Sequence, residues 1–498
     1  MHAVTMPALR WPRRDNNQET ILKTMLALCA LLQAGLACAE NRVQVFPFPE
    51  PVRYTHHNDD FTVRVRVPGG AWQDLYEYTV KVDLDQPTKD ASMVHFNFDG
   101  EVEVAVQKNN GRFGSVAVRP ASKGVRTEVR DNTVYFRLKK PENLSIEFDD
   151  DRHHNLHLFT QAIRKDMPRV AREGPITTGK TPDFTQPVVY FGPGIHDGEF
   201  HLRSNTTVYI DGSAILKRPL VIDGVENVKV HSDGLFIGAD QMRIRNAKNV
   251  LIDGPIFINQ PEGTMRCIQS QDVEERGIRT IGARPWSDGL GHFACERVRI
   301  SDSFIRTSDD CITLYNHRWD IWGNTRDVSV TRTTLWADVA HAVMIGIHGN
   351  TPTPAHPEPE VIERVRFSDI DILEHDEDDP VYAGALGIMA GDDNLVRDVT
   401  FEDIRVERIE EGKLFNFHIA YTAKYNTSPG RGIENIVLRN IHYSGKGAAS
   451  ASLLRGHDAA RRVRNITFDN VTVGGRRLKG AEPNVLEIGP FVEGVTFR

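Results

Sequence analysis

The amino-acid sequence predicts an all-β protein, a right-handed parallel β-helix preceded by a small antiparallel β-sandwich. A short motif, polar-Val/Ile-polar-Val/Ile/Phe, recurs as Asn227-Val228-Lys229-Val230, Arg297-Val298-Arg299-Ile300, Arg364-Val365-Arg366-Phe367 and Asn465-Ile466-Thr467-Phe468, with further copies starting at Asn249, Asp327, Asp398, Asn435 and Gly494. Its period of two marks strands with one buried face. Copies lie about 20 to 37 residues apart, the spacing of a coil in which each turn covers the apolar face of the last. Most copies are followed by Asp or Asn and a second β-branched pair, as in Phe367-Ser368-Asp369-Ile370-Asp371-Ile372. Between about Arg42 and Phe148 the pattern differs. Alternating runs such as Phe61-Thr62-Val63-Arg64-Val65-Arg66-Val67 are broken by Gly69-Gly70, Asp99-Gly100 and Asn109-Asn110-Gly111, the punctuation of hairpins.

The elements follow in order. Residues 1–39 read as an export signal: Lys23 precedes the apolar run Met25 to Leu32, and Ala37-Cys38-Ala39 is a small-x-small cleavage site before Glu40. The run is too short to span a bilayer, so a secreted or periplasmic protein is expected. Residues 40–163 are assigned to the sandwich. Residues 164–187, with Pro168, Gly174, Pro175 and Pro182, form a linker and cap, and 188–498 form the β-helix.

Composition narrows the partners. The net charge is −8, and removal of residues 1–39 takes four basic and two acidic side chains with it, leaving −10. Such a chain has no basic stripe for nucleic acid. Of the five cysteines, Cys267, Cys295 and Cys311 lie beyond the leader. An odd number without metal-ligand spacing argues against a disulfide framework and against zinc, and favours small core fillers. No cofactor or metal is expected. The run His375-Asp376-Glu377-Asp378-Asp379 reads as a solvated acidic loop, because a calcium loop needs regularly spaced oxygen ligands and a Gly turn.

One stretch carries chemistry. Trp286-Ser287-Asp288-Gly289 and Thr307-Ser308-Asp309-Asp310-Cys311-Ile312 place three carboxylates on neighbouring turns of the coil. Acid-assisted hydrolysis of a glycosidic bond needs that set: one carboxyl holds a proton for the leaving oxygen, and the others activate a water. On a straight strand Asp309 and Asp310 would face opposite sides, so the chain must bend at this pair. Asp288-Gly289 taken alone would be an ordinary turn.

Ser287-Asp288-Gly289, followed 21 residues later by Asp309-Asp310-Cys311-Ile312, resembles the signature of the polygalacturonase clan of glycoside hydrolases, families 28 and 49. His341-Ala342-Val343-Met344-Ile345-Gly346 matches a third element of that clan. Tyr190 to Asp197, Ser204 to Ile210, Tyr315 and Thr333-Thr334-Leu335-Trp336 are similar to family 49, the dextranases and isopullulanases, as is a sandwich ahead of the β-helix. The resemblance implies a hydrolase acting with inversion, acid and base about 6.5 to 9.5 Å apart. In that reading Asp309 is the general acid, Asp288 and Asp310 hold and deprotonate the water, and His341 orients the acid. Trp286, Tyr315 and Trp336 are candidates for stacking on sugar rings.

The expected partner is a polysaccharide or oligosaccharide, and the enzyme is expected to be a monomer. Pectinases carry an Arg-Ile-Lys near the cleavage subsite, whereas Tyr382 to Gly391 here has no cation, which favours a neutral, dextran-like or pullulan-like α-glucan. Arg284, Arg306, Arg318 and Lys424 are other sources of charge, so a polygalacturonase-type activity is the alternative. A calcium-dependent lyase and a non-hydrolytic glycan-binding β-helix complete the set.

Overall fold

The computed structural model describes residues 40–85, 89–168, 175–349 and 351–498, and the leader read at 1–39 lies outside them. Apart from two short 3₁₀ turns, Glu50–Val52 and Ala121–Lys123, the regular elements among these residues are strands. None of them forms a helix long and apolar enough to cross a membrane.

From Val188 onward the chain winds into a right-handed parallel β-helix with sheets of 20 and 11 strands. The repeated motif is its register. Val228, Val250, Val273, Val298, Val328, Val365, Val399, Ile436 and Ile466 stand directly above one another through successive parallel pairings. The polar residue before each of them is a bend. Asn227, Asn249, Asp272, Arg297, Asp327, Arg364, Asp398, Asn435, Asn465 and Gly494 all have positive φ. Asn, Asp and Gly tolerate that left-handed conformation best, which explains their recurrence. Their side chains then bond from turn to turn: Asn227 donates to Asn205, Asn249 to Asn227 and Asn465 to Asn435. Where Arg takes the bend it pairs with the Asp one turn back, Arg297 with Asp272 and Arg364 with Asp327. The rise of one turn consumes 22 residues at Asn205–Asn227 and 37 at Asp327–Arg364, the surplus going into loops.

The second Asp or Asn of the pattern is a second bend. Arg332, Asp369, Asp403, Asn440 and Asn470 also have positive φ. They sit inside the long strands Thr325–Ala337, Val361–Glu374, Leu395–Val406, Gly432–Tyr443 and Val463–Val473 and turn each one from one face of the coil to the next. The inside is filled by Val, Ile, Leu and Phe, with stacked rings such as Phe236 on Phe257 and Phe367 on Phe401. Phe184 closes the first turn against Phe191 and Phe200.

The expectation that the cysteines are separate core fillers is corrected. Cys267 and Cys295 form a disulfide, and Cys311, buried in the coil, is the free cysteine among the described residues. Adjacent turns bring residues 28 apart in sequence into contact, a closeness that cysteine spacing alone does not disclose. Replacing both by serine is expected to lower unfolding free energy by about 2–4 kcal/mol, measured by denaturant titration. Identical stability with and without the bridge would contradict a structural role.

Ahead of the coil, two sheets face each other. One contains Lys89–Asp99, Asn143–Phe148 and Asp151–Gln161, the other Phe61–Arg66, Val102–Lys108 and Thr133–Leu138, and Phe96, Phe98, Val104, Phe136 and Ile146 fill the space between. Pairing is antiparallel except between Asp151–Gln161 and Lys89–Asp99, which run parallel. The outer face of the first sheet is apolar as well. Tyr78, Val80, Val82, Met93 and Phe159 pack on Ile215, Ile237, Ile258, Ile281, Phe304, Trp336 and Leu373 along the flank of the coil.

Candidate active site

The three aspartates occupy one corner, stacked over consecutive turns. Asp288 precedes strand Leu290–Phe293. Asp309 and Asp310 lie between strands Phe304–Thr307 and Ile312–Tyr315, and His341 precedes Val343–Gly346. Backbone bonds lock the corner: Gly289 N–H donates to Asp310 O at 2.9 Å and Cys311 N–H to His341 O at 2.8 Å. A glycine is required at 289 because a Cβ there would lie 2.3 Å from Cys311 O and 2.4 Å from Ile305 Cγ2. The chain bends at Asp309, where the Thr307 hydroxyl donates to the Asp309 carbonyl at 2.7 Å. That bend lets both neighbouring carboxylates address one space.

One oxygen of each aspartate lies within 4.8 Å of the others. This corrects the expected wide separation of acid and base, since stacked corners draw the carboxylates together. Among the described residues it is also the one group of His, Cys, Asp and Glu close enough to hold a cation.

The three differ in environment. Asp310 is buried and clamped: it accepts from His341 Nδ1 at 2.7 Å, His341 N–H at 3.2 Å, Tyr315 OH at 3.1 Å and Tyr382 OH at 3.2 Å. His341 Nε2 faces the Tyr382 carbonyl oxygen, which can only accept. With an acceptor at each ring nitrogen, His341 is an imidazolium. Burial opposes its charge, but the Asp310 carboxylate overrides this and raises its pKa. Burial likewise pushes Asp310 upward, yet the imidazolium and its hydrogen bonds bring the carboxyl below its ordinary value. Asp309, the most open of the three, is pushed up to about 6 by desolvation and the Asp310 charge. Asp288 is raised well above the usual range by burial and then by both neighbours, against the pull of Arg266, whose Nη2 is 3.5 Å away.

The corner forms the floor of a cavity of 850 Å³. Trp286, 74% exposed, and Trp319, 59% exposed, stand at its rim as aromatic platforms. Arg266 is held between Phe293 and Trp319, 5.0 and 5.3 Å from their rings. Arg243, Arg318, Lys424, Glu262, Glu377, His348 and Tyr425 also line it. Of the four cations considered from sequence, Arg318 and Lys424 reach the cleft and Arg284 and Arg306 do not.

Two aromatic assignments are corrected. Trp336 is fully buried, its ring 3.8 Å from the Arg306 guanidinium and 5.4 Å from that of Arg119, at the joint with the sandwich. It points out of the coil on a flank away from the cleft, so it offers no face to a sugar. Tyr315 lines the cleft but is 2% exposed and acts through its hydroxyl on Asp310. Tyr382 and Trp319 were not anticipated as site residues. Both belong to long excursions between strands, where the repeat gives no register; His348 also lines the cavity, edge-on to Tyr315.

Comparison with known proteins follows the same lines. The model of glycosyl hydrolases family 28 matches residues 229–485. Among solved structures the chain is similar to Dex49A from Penicillium minioluteum, with 13% identity, a TM-score of 0.59, and coverage of 91% of this chain and 96% of that one. The family 28 exopolygalacturonase of Yersinia enterocolitica is 12% identical, with a TM-score of 0.44 over 80% of this chain and 93% of that one. No curated protein sequence matches. At these identities the structural likeness speaks for the β-helical fold, and the family match, which spans more than half of the chain, speaks for descent. The chain belongs to family 28 of the glycosyl hydrolases and is a glycoside hydrolase of the polygalacturonase clan.

Proposed function

We propose that this hydrolase cleaves a polysaccharide with Asp309 as general acid and with Asp288 and Asp310 holding and deprotonating the attacking water, Asp310 being the carboxylate that stays ionised and takes its proton. The observation that carries the reading is the division of environments within one corner. Asp309 is open to the cleft with its pKa near 6, so below that pH it has a proton to give to the leaving oxygen. Asp310 accepts four hydrogen bonds, which keep it ionised to lower pH than its neighbours and leave it free to take the proton of the water. Asp288, raised by burial and by both neighbours, is the more readily protonated partner of Asp310 and positions the same water by hydrogen bonding. Inversion is part of the proposal through the clan resemblance rather than through the carboxylate spacing, and NMR of the first-formed anomer tests it.

The substrate reading changes from the one sequence favoured. The missing cation in Tyr382 to Gly391 carries little weight, because strand Leu386–Ala390 there is wholly buried. Cations reach the cleft from other turns as Arg243, Arg266, Arg318 and Lys424. We therefore place an acidic glycan of the galacturonan type first. A neutral α-glucan is the second reading, favoured by Glu262 and Glu377 in the same lining, which oppose a polyanion. Export also belongs to the proposal, and the Cys267–Cys295 disulfide supports an oxidising compartment.

The test is product release from polygalacturonate, dextran, pullulan and isomalto-oligosaccharides. Saturated reducing ends from polygalacturonate support the first reading, cleavage of an α-glucan the second, and unsaturated products would mean a lyase. His341→Ala should lower kcat roughly 10-fold or more, the worth of a hydrogen bond to a charged group of about 1.5–3 kcal/mol. Without the imidazolium the Asp310 pKa rises, so the acidic limb of the pH–rate profile should move to higher pH; an unmoved limb would remove His341 from the site's electrostatics.

A further inference from the structure

The cleft is not built by the coil alone. Leu84, in the hairpin between sandwich strands Tyr78–Val82 and Lys89–Asp99, lines the cavity that holds the three aspartates. Its backbone N–H donates to Ser308 Oγ at 3.0 Å, one residue before Asp309. The preceding residue, Asp83, donates its N–H to Asp338 Oδ2 at 3.2 Å, and its carboxylate lies 2.8 Å from His153 Nε2. Further back, Lys81 N–H donates to Asn259 Oδ1 at 2.8 Å and Asn259 Nδ2 returns a bond to Thr79 O at 3.0 Å. The strand leading to Leu84 is thus fixed to the coil at three successive points. Its isobutyl group is only partly buried and stands with Val339 and Ala340 as an apolar stretch of the cleft wall.

We infer that Leu84 is a substrate-contacting residue, presenting an apolar surface to the C–H face of a sugar ring beside the carboxylates, so that the sandwich supplies part of the binding site. The inference rests on the hydrolase reading for its ligand class. A partly exposed apolar group whose backbone is already anchored at three points needs no further backbone ordering when a sugar arrives, which is what a binding wall needs. The same anchors place Ser308 and hence the bend at Asp309.

Binding and turnover are separated by working in the full chain carrying Asp309→Asn, titrated with oligogalacturonates and isomalto-oligosaccharides and followed by the fluorescence of Trp286 and Trp319. Adding Leu84→Ala is expected to weaken binding about 10-fold, the low end for an apolar contact at an open wall, and Leu84→Asp to weaken binding of oligogalacturonate further. In the otherwise wild-type chain Leu84→Ala should raise KM and leave kcat in place. Unchanged affinity in both Leu84 variants overturns the inference while leaving the hydrolase reading intact. A fall in kcat at constant KM also overturns it, assigning Leu84 to support of Ser308. Weakened binding without any hydrolysis by the wild-type chain upholds the wall and sinks the proposed reaction. Absence of binding by the parent to either probe overturns both.

Discussion

Asp309→Asn is expected to lower kcat by about 10²–10⁴-fold, the usual worth of a positioned general acid, while the protein stays folded. The amide is isosteric and its oxygen can still accept from Asp310 N–H, which the Asp309 carboxylate does at 2.9 Å. What disappears is the proton for the leaving oxygen and one of three mutually repelling charges, so thermal stability should hold or rise. The pH dependence has a defined sign. An acid with its pKa near 6 is competent below that value, so the wild-type rate should fall as pH rises through about 6. The lower limit is set by Asp310, whose pKa is depressed, so activity should persist well into the acid range. A mutant retaining a tenth or more of the wild-type rate, roughly, or a rate that climbs above pH 6, would take the acid role away from Asp309.

The second large effect concerns stability. Arg306 is fully buried and bridges the two parts of the chain: its Nε and Nη2 bond to Asp338, Nη1 to Asn155 Oδ1 at 3.0 Å, and Nη2 also to the Arg152 carbonyl at 3.0 Å. Arg306→Ala leaves Asp338 buried without its cation and uncovers the face of Trp336. Removing one partner of a buried ion pair costs about 3–5 kcal/mol, and the midpoint of chemical denaturation should fall accordingly. Activity should fall with it, because Arg306 lies on the strand that delivers Asp309. A loss below about 1 kcal/mol, the scale of an exposed pair, would show that water replaces the guanidinium.

The coil and the corner that gathers the three aspartates were both legible in the sequence, for different physical reasons. A β-helix repeats its environment at every turn, so the need for left-handed bends and inward Val or Ile imprints the same letters again and again. Asp288, Asp309 and Asp310 stand beside those letters and inherit their register, which is why three residues distant in sequence could be placed in one corner. The copy at Asp272-Val273 is hard to see in the sequence because Glu274-Glu275 breaks the alternation, although its bend is formed. Contacts outside the repeat had no such imprint. Trp336 follows a motif residue by rule yet faces the sandwich, and nothing in a single-strand pattern says which flank of a coil is covered. Cys267 and Cys295 meet only because consecutive turns stack, and Tyr382 reaches Asp310 from a loop whose length obeys no period.

The apolar seam from Ile215 to Leu373 has a consequence for how the protein comes apart. A bare solenoid is a one-dimensional stack, in which each turn answers only to its neighbours and unwinding can begin at either end and creep inward. Here a rigid plate is glued along the flank of successive turns, so those turns cannot open one by one without tearing the same sheet from all of them. The segment bearing the carboxylates therefore melts as a block, and the turns beyond Gly432, which lie past the end of that seam, are left to fray on their own.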